Sequence, residues 1–153
     1  MLTELGRHEE ALASAARAAT VMPAFHEAWH NRGVALVALQ RYDEAVASYT
    51  RAIGVAPQFA PSYQSRASAH GHLRRYDRAL ADYEGAYRLD PDLPFVEGSL
   101  LHAKLHCARW DGFAAASAQL ADHVRDGRRA CEPLSFVPVG ESARDQLACG
   151  RTW

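Results

Sequence analysis

The sequence predicts an all-α fold in which paired helices stack into a solenoid of about seven helices, followed by a short C-terminal extension. Three observations carry this. The chain repeats itself every 34 residues: Pro23, Pro57 and Pro91 share a register, as do Ala11, Ala45 and Ala79, and Arg7, Arg41, Arg75 and Arg109. Small residues recur where two helix backbones must approach closely, Gly33 or Ala67 on one helix of a pair and Ala45 or Ala79 on the other. Acidic residues recur at Glu9-Glu10, Asp43-Glu44 and Asp77, in what would be the first turn of each second helix, where the helix dipole favours negative charge.

The elements follow in chain order. Residues 1–6 read as the last turns of a helix whose beginning lies elsewhere, so the sequence reads as a piece of a longer chain, and helix 8–21 is left with an apolar face that invites self-association. Helices are then expected at 25–39, 42–55, 59–73, 76–89, 93–107 and 110–126, and each of Pro23, Pro57 and Pro91 ends a helix because it removes an N–H and disfavours helical geometry in the residue before it. Tyr49 and Tyr83 supply aromatic area to the seams between units. The domain so defined runs over 1–127, with a partial unit at 1–23, full units at 24–57 and 58–91, and an atypical last unit at 92–127 that has Arg125 where the period asks for proline. Residues 128–153 form an extension or the start of a join to a further domain. In it, 131–139 reads as extended chain and 141–149 as a short helix.

Composition narrows the function. The 153 residues are 48% apolar and 23% charged, with 17 Lys+Arg against 18 Asp+Glu, the balance of an ordinary globular domain. A net charge of −1 lacks the basic excess that gathers phosphates, so neither nucleic acid nor an anionic membrane surface is an expected partner. No apolar run approaches the ~20 residues of a membrane helix, and Met1-Leu2-Thr3-Glu4 does not begin like a signal peptide, so the chain reads as soluble and cytoplasmic. Cys107, Cys131 and Cys149 are odd in number and widely spaced, which suits reduced thiols.

Around the recurring arginines the chain reads Arg41-Tyr42-Asp43-Glu44-Ala45-Val46 and Arg75-Tyr76-Asp77-Arg78-Ala79-Leu80. The first full unit carries Trp29, Gly33, Leu36, Ala45, Tyr49 and Pro57; the second carries Tyr63, Ala67, His70, Ala79, Tyr83 and Pro91. This pattern resembles the tetratricopeptide repeat, a helix-turn-helix unit that builds right-handed superhelices, with Arg32 and Arg66 at the usual leucine and His70 at the usual tyrosine. The repeats, with Leu93-Pro94-Phe95, residues 100–112 and Glu132-Pro133-Leu134-Ser135-Phe136, also look like the repeat region and following join of bacterial proteins similar to O-linked N-acetylglucosamine transferase. That resemblance implies an arm that selects substrates for a glycosyltransferase domain. Of the asparagines with which such an arm holds its substrate, only Asn31 matches, with Ser65 and Ser99 at the other places.

The chemistry-bearing motifs are few. There is no glycine-rich phosphate loop, no G-x-S-x-G elbow and no H-E-x-x-H, so the chain alone is not expected to be an enzyme or to need a cofactor. His102 and His106 lie one turn apart beside Cys107 but lack a third ligand, and no metal site is expected. Repeats of this kind bind peptides or partner proteins along the surface lined by the first helix of each pair. The residues expected there are Glu27, His30, Asn31 and Val34 in the first full unit, Gln64, Ser65, Ser68 and His72 in the second, and Phe95, Ser99, His102 and His106 in the third. This set is polar and nearly uncharged, and it lacks the lysines and arginines that clamp the C-terminal carboxylate of a chaperone tail.

Overall fold

The structure, a computed structural model, describes residues 2–131, with side chains from Gly6 onward. Among the described residues seven helices run in chain order: α1 Leu2–Val21, α2 His26–Ala38, α3 Tyr42–Val55, α4 Ala60–His72, α5 Tyr76–Leu89, α6 Val96–His106 and α7 Phe113–Arg125. No strand occurs among the described residues. The extended segment and short helix expected beyond residue 131 lie outside them.

Three helix ends repeat one hydrogen-bond pattern at the 34-residue period. The N–H groups of Arg41, Arg75 and Arg109 reach back to the carbonyls of Leu36, His70 and Lys104, while those of Gln40, Arg74 and Ala108 reach Val37, Gly71 and Leu105. This is the Schellman motif, which needs a left-handed residue just past the helix end; Gln40, Arg74 and Ala108 supply it at φ of 59°, 56° and 51°. Asp126-Gly127-Arg128 ends α7 in the same way, with Gly127 at φ 81°. In the 34-residue register the position matching Gln40, Arg74 and Ala108 is Gly6, yet α1 passes straight through it. The expected break between residues 6 and 8 is therefore absent. Six alanines between Ala11 and Ala19 favour continuous helix.

The chain divides into two compact units, residues 1–82 and 83–153. In the first, α1 packs on α2, α2 on α3 and α3 on α4, and α2 also touches α4. Its centre is Leu36, Ala45, Tyr49 and Ala69, flanked by Leu12, Val37 and Val46. Gly33 is a close-approach glycine, because a Cβ there would sit 2.5 Å from Cε1 of the Tyr49 ring. α1 buries Ala15 and Ala19, and Val21 is its one large apolar side chain exposed among those described.

The second unit packs α6 on α7 around Leu101, Leu120, Ala121, Val124, Ala130 and Cys131. α6 starts three residues later than expected, because Pro91 and Pro94 bracket a turn and its N-cap, Phe95, is left-handed at φ 66°. No side chain caps this helix. The chain after α7 folds back instead: Arg129 C=O accepts the Phe95 N–H at 2.6 Å and Ala130 C=O accepts the Gly98 N–H at 2.8 Å, satisfying amides that a helix start leaves open. Cys131 then covers Gly98 so closely that a Cβ there would meet its Cβ at 2.6 Å and its Cα at 2.8 Å. His123 Nδ1 lies 2.7 Å from Glu97 Oε2 and ties α7 to α6, while an Arg128–Asp92 ion pair holds the chain that leaves α7.

Candidate interaction surface

In the first unit the expected surface residues fall into two groups. Asn31 and Val34 on α2 and Ser68 and His72 on α4 are exposed, Val34 at 48%, while Glu27, His30, Gln64 and Ser65 are half-buried. The buried half explains the seam. His30 Nδ1 lies 3.0 Å from Ser62 Oγ, and its ring packs on Phe59 and Tyr49 at centroid distances of 5.4 and 5.5 Å. Its burial, assisted by nearby His26, lowers its pKa, so at neutral pH it is an uncharged packing residue. His26 meets the edge of Phe59 at 4.8 Å and approaches Glu27 Oε2 at 3.0 Å. Ser65 bonds the Tyr49 hydroxyl; burial outweighs that bond and the phenol is pushed up to about 12.

The exposed half is a stripe. On α2, residues 31 and 34 are one turn apart and share a face, and on α4 residues 68 and 72 do the same. His72 is pinned by parallel stacking on Tyr42, at 4.5 Å and 8°. The stripe therefore presents an amide, an isopropyl group, a hydroxyl and a fixed imidazole, with no lysine, arginine or carboxylate among them.

A polar network that the sequence reading did not anticipate braces this surface from behind. Arg32 donates to Ser48 Oγ, which donates to Glu44 C=O at 2.9 Å. One repeat on, Arg66 grips Asp82 with two bonds of 2.8 and 2.7 Å and donates to Thr50 Oγ1 at 3.0 Å. His70 Nε2 stands 4.0 Å from Asp82 Oδ2, and its Nδ1 is buried with no partner. Burial lowers the His70 pKa; Asp82 opposes this, while Arg66, Arg78 and Arg75 reinforce it. The signal was present in the sequence: each arginine at a leucine position has an acceptor sixteen residues later, Ser48 or Asp82.

In the second unit, Phe95 is engaged by its own chain, since Arg129 takes its N–H and lies 5.8 Å over its ring. Ser99 and His102 are half-buried, and His102 meets His106 edge to face at 4.6 Å. Among the described residues no three His, Cys, Asp or Glu side chains gather in a way that could hold a metal ion.

Comparisons with known proteins agree with this geometry. Residues 26–59 and 60–93 each match a family model of the tetratricopeptide repeat. Neither match passes residue 93, so the join after it draws no support from them. No curated protein matches. Among solved structures, MamA from residue 41 of Desulfovibrio magneticus RS-1 superposes with a TM-score of 0.70 at 18% identity, covering 82% of this chain and 71% of that one. A crystal structure of MamA gives 0.70 at 13% identity over 96% and 87%. The tetratricopeptide domain of Sgt2 from Aspergillus fumigatus gives 0.57 at 21% identity over 83% and 76%. At such identities the likeness speaks for the fold alone.

Proposed function

We propose, from the premise that residues 26–93 are two tandem tetratricopeptide repeats in an all-α fold of that kind, that this chain is a non-catalytic scaffold holding a segment of a partner protein. The segment lies along Asn31 and Val34 of α2 and Ser68 and His72 of α4. The observation that carries the reading is the exposed Val34 set among the amide, hydroxyl and imidazole of Asn31, Ser68 and His72, an apolar anchor beside donors and acceptors suited to a peptide backbone. Because the stripe contains no lysine, arginine or carboxylate, binding there responds weakly to salt.

The test is co-purification of a partner by wild type beside Asn31→Ala and Val34→Glu. A band retained by wild type, insensitive to salt and lost with Val34→Glu supports the stripe. A band that survives both substitutions removes it.

A further inference from the structure

We propose a second recognition site, independent of that stripe, in the cleft of about 430 Å³ lined by Pro23, Trp29, Thr50, Arg51, Gly54 and Val55. Its ligand is a peptide segment that presents an apolar side chain next to a carboxylate. At 100° per residue, Trp29 projects roughly 160° around α2 from Asn31, so the cleft opens between α2 and α3 on the other side of the helix from the stripe.

The walls supply the apolar half. The Trp29 indole N–H donates to Pro23 C=O at 2.9 Å, which fixes the ring as one wall, and Val55, itself exposed, forms another. Pro23 itself sits in a turn closed by the Phe25 N–H on Met22 C=O, in which Val21, Met22 and Phe25 are exposed apolar side chains. Gly54 leaves the floor open, because a Cβ at that position would touch nothing within 4 Å.

The charge half is Arg51. Its guanidinium lies 5.9 Å over the Trp29 ring, and among the described residues no carboxylate pairs with it. The acidic groups of its own helix are spoken for at the opposite end, Asp43 by Arg75 at 2.9 Å and Glu44 by Arg41 at 2.7 Å. The neighbouring stretch from Ala11 to His26 adds only Arg17 and His26, and Glu27 faces His26. An incoming carboxylate therefore meets a cation without a competing anion, beside an aromatic face that holds the cation in place. The fold does not require this arrangement: one repeat on, Gly85 and Arg88 replace Arg51 and Gly54, and the cation over the corresponding ring, Tyr63, is Arg66.

The test uses the full chain and two fluorescein-labelled peptides, a leucine flanked by glutamates and its lysine counterpart, read by anisotropy at low and high salt. Wild type should favour the acidic peptide by about fivefold at low salt, the scale of exchanging an attractive for a repulsive contact at an exposed arginine. Arg51→Glu should invert that preference. Gly54→Leu, which fills the cleft with a good helix former, should abolish binding while leaving the helical content intact, and Val34→Glu should leave it unchanged. Equal binding of both peptides, no inversion, binding undiminished by Gly54→Leu, or no saturable binding of either peptide overturns the proposal. Loss with Val34→Glu alone places the peptide on the stripe and also overturns it.

Discussion

Asp82→Ala should be the most damaging of the small substitutions in the first unit. It removes both hydrogen bonds that hold the Arg66 guanidinium and leaves that charge with Thr50 and the Tyr63 ring, at 5.7 Å, as its remaining contacts. Breaking a buried pair from one side costs about 3–5 kcal/mol because the partner stays buried and uncompensated. With 18% of the Arg66 side chain and 11% of Asp82 still open to water, the lower end applies, about 3 kcal/mol. At a urea dependence of ~1.5 kcal/mol per M this lowers the unfolding midpoint by about 2 M. The double substitution Arg66→Leu with Asp82→Ala restores the residue usual for the repeat and removes both charges, so it should return to within ~1 kcal/mol of wild type. Urea unfolding followed by far-UV circular dichroism measures all three proteins. A midpoint for Asp82→Ala within ~0.5 M of wild type, or a double variant as unstable as the single one, would refute this account of the network.

Four further outcomes are expected. Gly33→Ala drives a methyl into the Tyr49 ring and should cost about 2 kcal/mol, seen as a lower thermal midpoint. Gly98→Ala should lift the 129–131 segment, exposing the Cys131 thiol; in a background with Cys107 and Cys149 changed to serine, its reaction with a thiol reagent should accelerate clearly over the Gly98 parent. Gln40→Gly and Arg74→Gly relieve left-handed backbone at 59° and 56° and should each stabilise by about 0.5 kcal/mol after the entropy of glycine is deducted, measurable by chemical unfolding. His30 and His70 both have lowered folded pKa values, so the unfolded chain binds more protons around and below the ordinary histidine value of 6.5. Stability should therefore fall as pH drops through that region and level off below the folded values, and His70→Phe should flatten part of the slope in midpoints measured across pH.

The repeat architecture was legible because a stacked helix pair must present the same residue types at the same interval, and Pro57, Ala45 and Tyr49 satisfy it without knowledge of their neighbours. The continuity of α1 was not legible, since Gly6 stands where the other units have their turn residue, while the alanines that carry the helix on begin only at Ala11. The stripe was half legible: helical spacing placed Asn31, Val34, Ser68 and His72 on open faces, but it could not tell that His30 and Ser65 would be taken up by Ser62 and Tyr49. Arg32 and Arg66 read as departures from a pattern because their acceptors lie on another helix, and periodicity along one helix carries no information about a partner sixteen residues away.

The returning segment at 129–131 also limits how such a protein grows. Ala130 stands 32 residues beyond Gly98, the same interval that separates Ser62 from its contact His30, so it occupies the seat that the opening turn of one more module would need. Lengthening the array by duplication is thus easy inside 26–93, where each module finds a like neighbour, and costly after α7, where a newcomer must first evict the chain already sitting there.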